Sequence, residues 1–322
     1  MAIAFTFPGQ GSQSVGMGKA LAQEHPAARA VFEEIDEALG EKLSALVWEG
    51  PVQTLTLTEN AQPALLASAL AVMAVLDAEY GITVQAASHV AGHSLGEYTA
   101  LAAAGALSLA DAARLLRHRG QAMQRAVPVG EGAMAALLGA SEEQATELCV
   151  LGAAHGVCEI ANDNAPGQLV ISGVRAAVEA ATAAAKQHGV KKAVMLPVSA
   201  PFHCSMMEPA AQEMEEALAN VAIRTPMVPV ISNIAAAPTI NPRTIRRQLV
   251  EQVTGRVRWR QSIAWMAANG VDCFAEPGAG KVLTLLVRRI TGEARGVALN
   301  SAESIAEFAE TCKQEPQQQV AR

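Results

Sequence analysis

Ala87-Ser-His-Val-Ala91, then Gly92-His93-Ser94-Leu95-Gly96, then Glu97-Tyr98: a short β-like run, a serine between two glycines and the opening of a helix. This is the sequence context of a nucleophile elbow. In such a turn the glycines permit a strained backbone and close packing, the serine hydroxyl projects at the carboxyl end of a strand, and the next residue's N–H faces an oxyanion. The helix amino terminus adds positive potential there. An isolated GxSxG is equally served by Ser94 as a plain helix N-cap; the strand before it and the helix after it favour the nucleophile.

Outward from this turn, the first 127 residues alternate helical patterns (about 19–39, 62–80, 96–104 and 109–126) with β-like runs (2–7 and 87–92). That alternation predicts an α/β layer with a largely parallel sheet. The rhythm then changes. Residues 133–138 read as strand, 141–155 as helix, 158–161 and 168–172 as a hairpin around Asn162-Asp-Asn-Ala-Pro-Gly167, 176–188 as helix and 192–198 as strand. The order β-α-β-β-α-β is that of a ferredoxin-like unit. Pro128-Val-Gly130 and Pro197 mark its borders, so an insert over 128–197 is expected within a core of 1–127 and 198–311. Helices at 210–220, 243–252, 261–269 and 281–290 and strands at 228–232 and 272–276 return the chain to that core. The polar tail 312–322 is expected to be disordered.

Composition narrows the function classes. The 322 residues are 51% apolar and 17% charged, which excludes a disordered chain, and with aromatics at 3% the interior must be filled by Ala, Leu and Val. The longest apolar run, 64–76, suits a buried helix and falls short of the ~20 residues that span a bilayer. Met1-Ala-Ile-Ala-Phe5 has no basic start and no extended apolar stretch, so a cytoplasmic protein without membrane attachment is expected. Five widely spaced cysteines without a CxxC fit reduced thiols, with neither a disulfide framework nor a metal site. The net charge of −7 argues against a nucleic-acid partner. Two glycine-rich stretches fail as nucleotide-binding loops: Gly9–Ser14 lacks the third glycine of a dinucleotide fingerprint, and neither Lys19 nor Lys281 stands in a P-loop.

A serine nucleophile needs a base. His25, His118, His155 and His188 have ordinary surface or helix-end explanations, and His89 and His93 lie on the elbow's own strand and turn. His203, in Val198-Ser-Ala-Pro-Phe-His-Cys204, follows a predicted strand on a proline-bearing loop and is the preferred candidate. In the helix at 109–126 an apolar stripe of Ala112, Leu115, Leu116, Ala122, Met123 and Ala126 includes Arg119. An inward guanidinium calls for an anion, either an internal Asp or Glu or a ligand's carboxylate or phosphate.

Together the motifs resemble the malonyl-CoA:acyl-carrier-protein transacylases along nearly the whole chain. Phe7-Pro-Gly-Gln-Gly-Ser-Gln13 is similar to that family's opening motif, Gly92–Glu97 to its nucleophile motif, Arg117–Met123 to its carboxylate-binding helix and Pro201–Cys204 to its base motif. The resemblance implies an α/β-hydrolase-like core with a ferredoxin-like insert, an acyltransferase of fatty acid biosynthesis and a malonyl-serine intermediate. Carried over by position, Ser94 attacks the malonyl thioester and His203 serves as base and then acid. The backbone N–H groups of Gln10 and Leu95 form the oxyanion hole, Arg119 holds the distal carboxylate, and the main-chain carbonyl of Gln252 orients the histidine. Leu95 and Phe202 imply malonyl over methylmalonyl. Coenzyme A enters as the substrate thioester and phosphopantetheine arrives on the acceptor carrier protein, with no tightly bound cofactor, and a monomer is expected.

An acidic carrier protein requires local positive charge on an acidic chain, and Arg243, Arg246, Arg247, Arg256, Arg258 and Arg260, with Lys186, Lys191 and Lys192, supply a candidate surface. Three readings compete. An esterase or thioesterase would share the elbow, with Asp111 or Asp163 completing a Ser-Asp-His order; a malonyl transferase of polyketide synthesis would share the whole chemistry; a silent carrier-binding module would not need both Ser94 and His203.

Overall fold

The structure, a computed structural model, describes residues 1–319. Its strands are β1 (Ile3–Phe7), β2 (Ala87–Gly92), β3 (Gly132–Leu138), β4 (Cys158–Ala165), β5 (Gln168–Val174), β6 (Lys192–Met195), β7 (Val230–Ile231), β8 (Pro238–Thr239), β9 (Cys273–Pro277) and β10 (Arg295–Leu299). They form two sheets. The first runs β10-β9-β1-β2-β7-β8 and is parallel except where β8 pairs with β7. Every residue of β1 is buried, as a central strand covered on both faces requires, and Thr6 meets its burial by donating to the Ala275 carbonyl. The register pairs Phe7 with Gly92, which sets the end of β1 beside the elbow.

The second sheet runs β4-β5-β3-β6, all antiparallel, with helices Glu142–Gly152 and Arg175–Ala184 packed on it around Leu137, Leu148, Ile171 and Val178. The fold is therefore an α/β-hydrolase-like core with a largely parallel sheet and a ferredoxin-like antiparallel unit.

Local chemistry explains where the element boundaries differ from expectation. The helix expected over 19–39 is two helices, Lys19–Glu24 and Pro26–Leu39, because His25 precedes proline and takes an extended conformation. Helix Thr58–Tyr80 starts four residues before the expected 62 and continues through Pro63. Burial of Thr58, Asn60, Ala61 and Gln62 outweighs the backbone bond lost at the proline. This is the one described helix long and apolar enough to cross a bilayer, and it lies inside the protein against helices Pro26–Leu39 and Leu109–Arg125. Edge strand β10 and the short helices Leu43–Glu49 and Val52–Thr56 carry too little periodicity to be read in advance.

The last helix runs Ala302–Gln319, so residues 312–319, expected to be disordered, are helical; the remainder of the tail lies outside the described residues. Ile305, Phe308 and Ala309 bury one face of that helix, and extending an anchored helix is easier than starting one.

The hairpin matters most for function. Its loop was expected over 162–167, but β4 continues to Ala165 through two register shifts, leaving Pro166-Gly167 as the turn with Gly167 at φ 71°. Bulges bend a strand and re-aim its side chains, and Asn162 and Asn164 reach the cleft between the sheets. The core meets β4 there: Val257 N–H donates to Ala161 and Asp163 N–H to Val257. Asp163, 1% exposed, receives Arg256 and Arg260 from the core side.

Candidate active site

Ser94 stands at the carboxyl end of β2 with φ 54°, a left-handed conformation that costs a non-glycine residue about 1–3 kcal/mol. The neighbours dictate it. A Cβ on Gly92 would lie 1.8 Å from the backbone of Gly96, and a Cβ on Gly96 would lie 2.3 Å from the Phe7 carbonyl oxygen. Both glycines are therefore fixed by the approach of strand, turn and helix Gly96–Ala103. Asn233, just beyond β7, braces the turn: its Oδ1 accepts from Ser94 N–H at 2.7 Å and its Nδ2 donates to the Gly92 carbonyl at 2.7 Å. The backbone N–H groups of Leu95 and Gln10 meet no acceptor among the described residues, which leaves two donors on residues that line the same cavity as the serine.

His203, on the loop after β6, also has a left-handed backbone, φ 59°, and is buried. Its Nε2 lies 2.7 Å from Ser94 Oγ and its Nδ1 2.9 Å from the main-chain oxygen of Gln252. A carbonyl can only accept, so Nδ1 carries the hydrogen and Nε2 is left to receive the serine proton. Burial, and after it the nearby Arg119 charge, pushes the imidazole down to about 3, so it is neutral near pH 7.

Arg119 is 1% exposed on helix Leu109–Arg125, with Tyr98 under its guanidinium. Its Nη1 donates to Gln62 Oε1 at 2.8 Å, and its Nη2 to Ser94 Oγ at 3.1 Å and Gln252 Oε1 at 2.9 Å, while Nε has no partner. No carboxylate forms a direct ion pair with it among the described residues, so its donors go only to neutral side chains. Burial lowers its pKa, yet arginine stays protonated in proteins.

The expected residues Ser94, His203, Gln252, Gln10, Leu95 and Arg119 thus come together; all but Gln252 line one cavity of about 370 Å³, and Gln252 stands directly behind Arg119 and His203. The Gln10 side chain accepts from Thr58, which accepts from Gln62, so the loop that carries Gln10 is tied to the arginine by hydrogen bonds. Phe202 and Leu95 both face the cavity.

Four residues were not anticipated. Gln62 and Asn233 hold Arg119 and the elbow as described above. His93, set aside in the sequence, lines the cavity with its Nε2 2.8 Å from Asn164 Oδ1, and burial lowers its pKa. Glu97 is 2% exposed and accepts from Gln252 Nε2 at 2.7 Å and Asn233 N–H at 3.2 Å; burial pushes it up to about 7.

The aspartates of an esterase order are occupied elsewhere, Asp111 with Ser108 and Arg114, Asp163 with Arg256 and Arg260. The arginine cluster is not six free cations. Arg256 and Arg260 serve Asp163 and Glu142, Arg246 donates to the Leu218 and Val221 carbonyls, and Arg247 pairs with Glu251. Arg243, Arg258, Lys186, Lys191 and Lys192 form no ion pair among the described residues.

Comparison with known proteins agrees with this geometry. Residues 4–314 match the acyl transferase domain family. The malonyl CoA-acyl carrier protein transacylase of Bacillus subtilis (strain 168) is 46% identical over 314 residues, covering 97% of this chain and 98% of the relative. The crystal structure of the acyl-carrier-protein-S-malonyltransferase from Bartonella henselae superposes with a TM-score of 0.95 at 54% identity, covering 97% of this chain and all of that one. A type II polyketide synthase acyl-carrier protein in complex with its malonyl-transacylase gives 0.93 at 38% identity, covering 97% of this chain and 100% of that one. Since these matches run nearly end to end over a cavity in which serine, imidazole and guanidinium touch, the chain belongs to the malonyl-CoA:acyl-carrier-protein transacylase family.

Proposed function

We propose that the chain moves a malonyl group from coenzyme A to the phosphopantetheine thiol of an acyl carrier protein through an ester on Ser94. One observation carries the reading: Ser94 Oγ is within hydrogen-bond reach of both His203 Nε2 and Arg119 Nη2. A three-carbon diacid bound to the serine can therefore present its free carboxylate to the guanidinium.

His203 Nε2 takes the hydroxyl proton as Oγ attacks the thioester carbonyl. The oxyanion forms beside the N–H groups of Leu95 and Gln10, donors of a kind whose single loss typically costs ~10²–10³ in rate. Collapse expels the coenzyme A thiolate, which leaves with the proton held by His203. In the second half the carrier thiol gives its proton to the neutral imidazole and attacks the ester, and the serine recovers a proton from His203. The Gln252 carbonyl keeps the imidazole in the tautomer both halves need. A carboxylate on Arg119 distinguishes malonyl from acetyl by charge, and Leu95 and Phe202, which line the cavity, resemble the residues of family members that favour malonyl over a branched homologue.

The carrier protein reaches the serine at the cleft between the two sheets, with Arg243, Arg258 and the lysines of the inserted unit as the cations available to an acidic partner. A monomer is the state expected of it, and five widely spaced cysteines without a CxxC suit the reducing cytoplasm. Fatty acid biosynthesis is the pathway assigned; a polyketide carrier protein would meet the same chemistry. Hydrolysis is disfavoured because His203 faces a carbonyl rather than the carboxylate of an esterase triad.

Intact-protein mass spectrometry after brief exposure to malonyl-CoA, and separately to acetyl-CoA, is the test. A malonyl adduct that forms much faster than the acetyl one and passes to added carrier protein is expected. Equal loading rejects the malonyl assignment, and release of free malonate in the presence of carrier protein supports the hydrolase.

A further inference from the structure

The mechanism above makes no use of a buried carboxylate one side chain away from the arginine. Glu97 does not touch Arg119: the Gln252 amide stands between them, its Nε2 2.7 Å from Glu97 Oε2 and its Oε1 2.9 Å from Arg119 Nη2. The amide's direction follows from its partners, since its donor end meets a carboxylate and its acceptor end a guanidinium. Asn233 N–H and the Gln252 amide both terminate on the same Glu97 oxygen, so the carboxylate is fixed at this distance.

We propose that Glu97 is a positioning residue that sets the charge of the malonyl-binding end, balancing Arg119 through the Gln252 amide and thereby limiting how tightly the substrate carboxylate is held. The inference rests on the malonyl reading above and deepens it. A direct Glu–Arg pair would occupy the donors that the substrate needs and would have to be broken at every turnover. With no acid at all, a buried guanidinium would stand unbalanced and would hold the malonyl ester in a deep well, because binding an intermediate more tightly than the following transition state slows the step after it. The amide resolves the conflict: the charge is compensated at one remove, while Arg119 Nε keeps no partner and Nη2 stays directed at Ser94 Oγ. The groups with charge or titration around Glu97 are Arg119 and Tyr98, and its hydrogen-bond partners, Gln252 and Asn233, are neutral.

Glu97→Gln keeps the shape and removes the charge. At pH 8, above the value of about 7 to which burial pushes Glu97, steady-state transfer to carrier protein is measured from malonyl-CoA, loading from acetyl-CoA, and malonyl-enzyme by intact mass. The variant is expected to show a KM for malonyl-CoA lower by roughly fivefold or more, the scale of ordinary coupling between sites. Its kcat falls as malonyl-enzyme accumulates, the change is confined to malonyl, and Glu97→Asp restores much of the wild-type KM. An unchanged or raised KM for malonyl-CoA, or a parallel change for acetyl-CoA, overturns the proposal. Gln252→Glu keeps the main-chain carbonyl and, with Glu97 holding the proton that two acids 2.7 Å apart must share, moves the negative charge directly onto Arg119, so it tests the same idea should Glu97→Gln not fold. A raised KM for malonyl-CoA alone is expected, and an unchanged one counts against the idea. Wild-type enzyme that loads acetyl as readily as malonyl would fail the malonyl reading itself; selective wild-type enzyme with an indifferent Glu97→Gln would fail only this inference.

Discussion

The two ends of the cavity are built on opposite principles. At the nucleophile end the geometry is local: Gly92, Ser94 and Gly96 are neighbours in sequence, and a strand, a turn and a helix leave the serine no other backbone conformation. At the carboxylate end nothing is local. Gln62, Glu97, Arg119 and Gln252 come from four helices, Gln252 bonds to a residue 155 positions away, and each side chain is held by burial and by hydrogen bonds in which an amide meets the guanidinium or the carboxyl group. Strain fixes the serine hydroxyl, whereas a buried polar network holds one cation without a direct ion pair, the group proposed above to choose the acyl substrate. The nucleophile end should thus govern all substrates alike, and the carboxylate end only those with a second charge.

The largest effect follows from Ser94→Ala. Acyl-enzyme should vanish for malonyl and acetyl donors equally, with a loss of at least ~10⁴ in transfer rate, as for other enzymes deprived of their nucleophile. Intact mass and carrier-protein loading read both quantities; an adduct that persists would move the nucleophile elsewhere and remove one side of the comparison. Arg119→Ala comes next and separates the ends. Truncating one member of a buried charge contact typically costs 2–5 kcal/mol, so malonyl loading should fall by roughly a hundredfold or more while acetyl loading is largely spared. Equal losses for the two donors would mean that Arg119 supports the serine, which it also touches, instead of the substrate.

The same contrast explains what could be read from the sequence. The elbow was legible because its cause is local: the glycine spacing and the change of period on either side of Ser94 are printed in consecutive residues. The ferredoxin-like order was legible for the same reason. Arg119 was half legible, since helical spacing turned it inward but could not say what it met. Gln62, Glu97 and Asn233 were not, because a polar residue in an apolar run has no meaning until the fold supplies its partner. Asn164 was hidden by a β-bulge, which inserts residues into a strand without a signal in the alternation. The roles of Gln10 and Gln252 came from resemblance alone, as each is assigned through its backbone, which no side-chain pattern records.

The smallest effect tests the electrostatics that the two ends share. His203, pushed from an ordinary 6.5 to about 3, binds fewer protons in the native state than in the unfolded chain over that range. Its contribution to stability is present above pH 6.5 and is lost as the pH falls toward 3. Glu97, pushed from an ordinary 4.5 to about 7, does the reverse: its contribution is present below pH 4.5 and is lost as the pH rises through 7. Between pH 4.5 and 6.5 the two oppose each other, one from each end of the cavity, and wild-type stability should change little on their account. Glu97→Gln removes one side of the balance. Denaturant unfolding across this window should show the variant losing stability on acidification more steeply than wild type, by at most about 1.4 kcal/mol per pH unit for a single proton. Parallel curves would mean that the carboxylate is ionised throughout and that burial has not raised it. Glu97 would then stand as a permanent counter-charge to Arg119, and the carboxylate end would carry a fixed ion pair at one remove over the whole pH range.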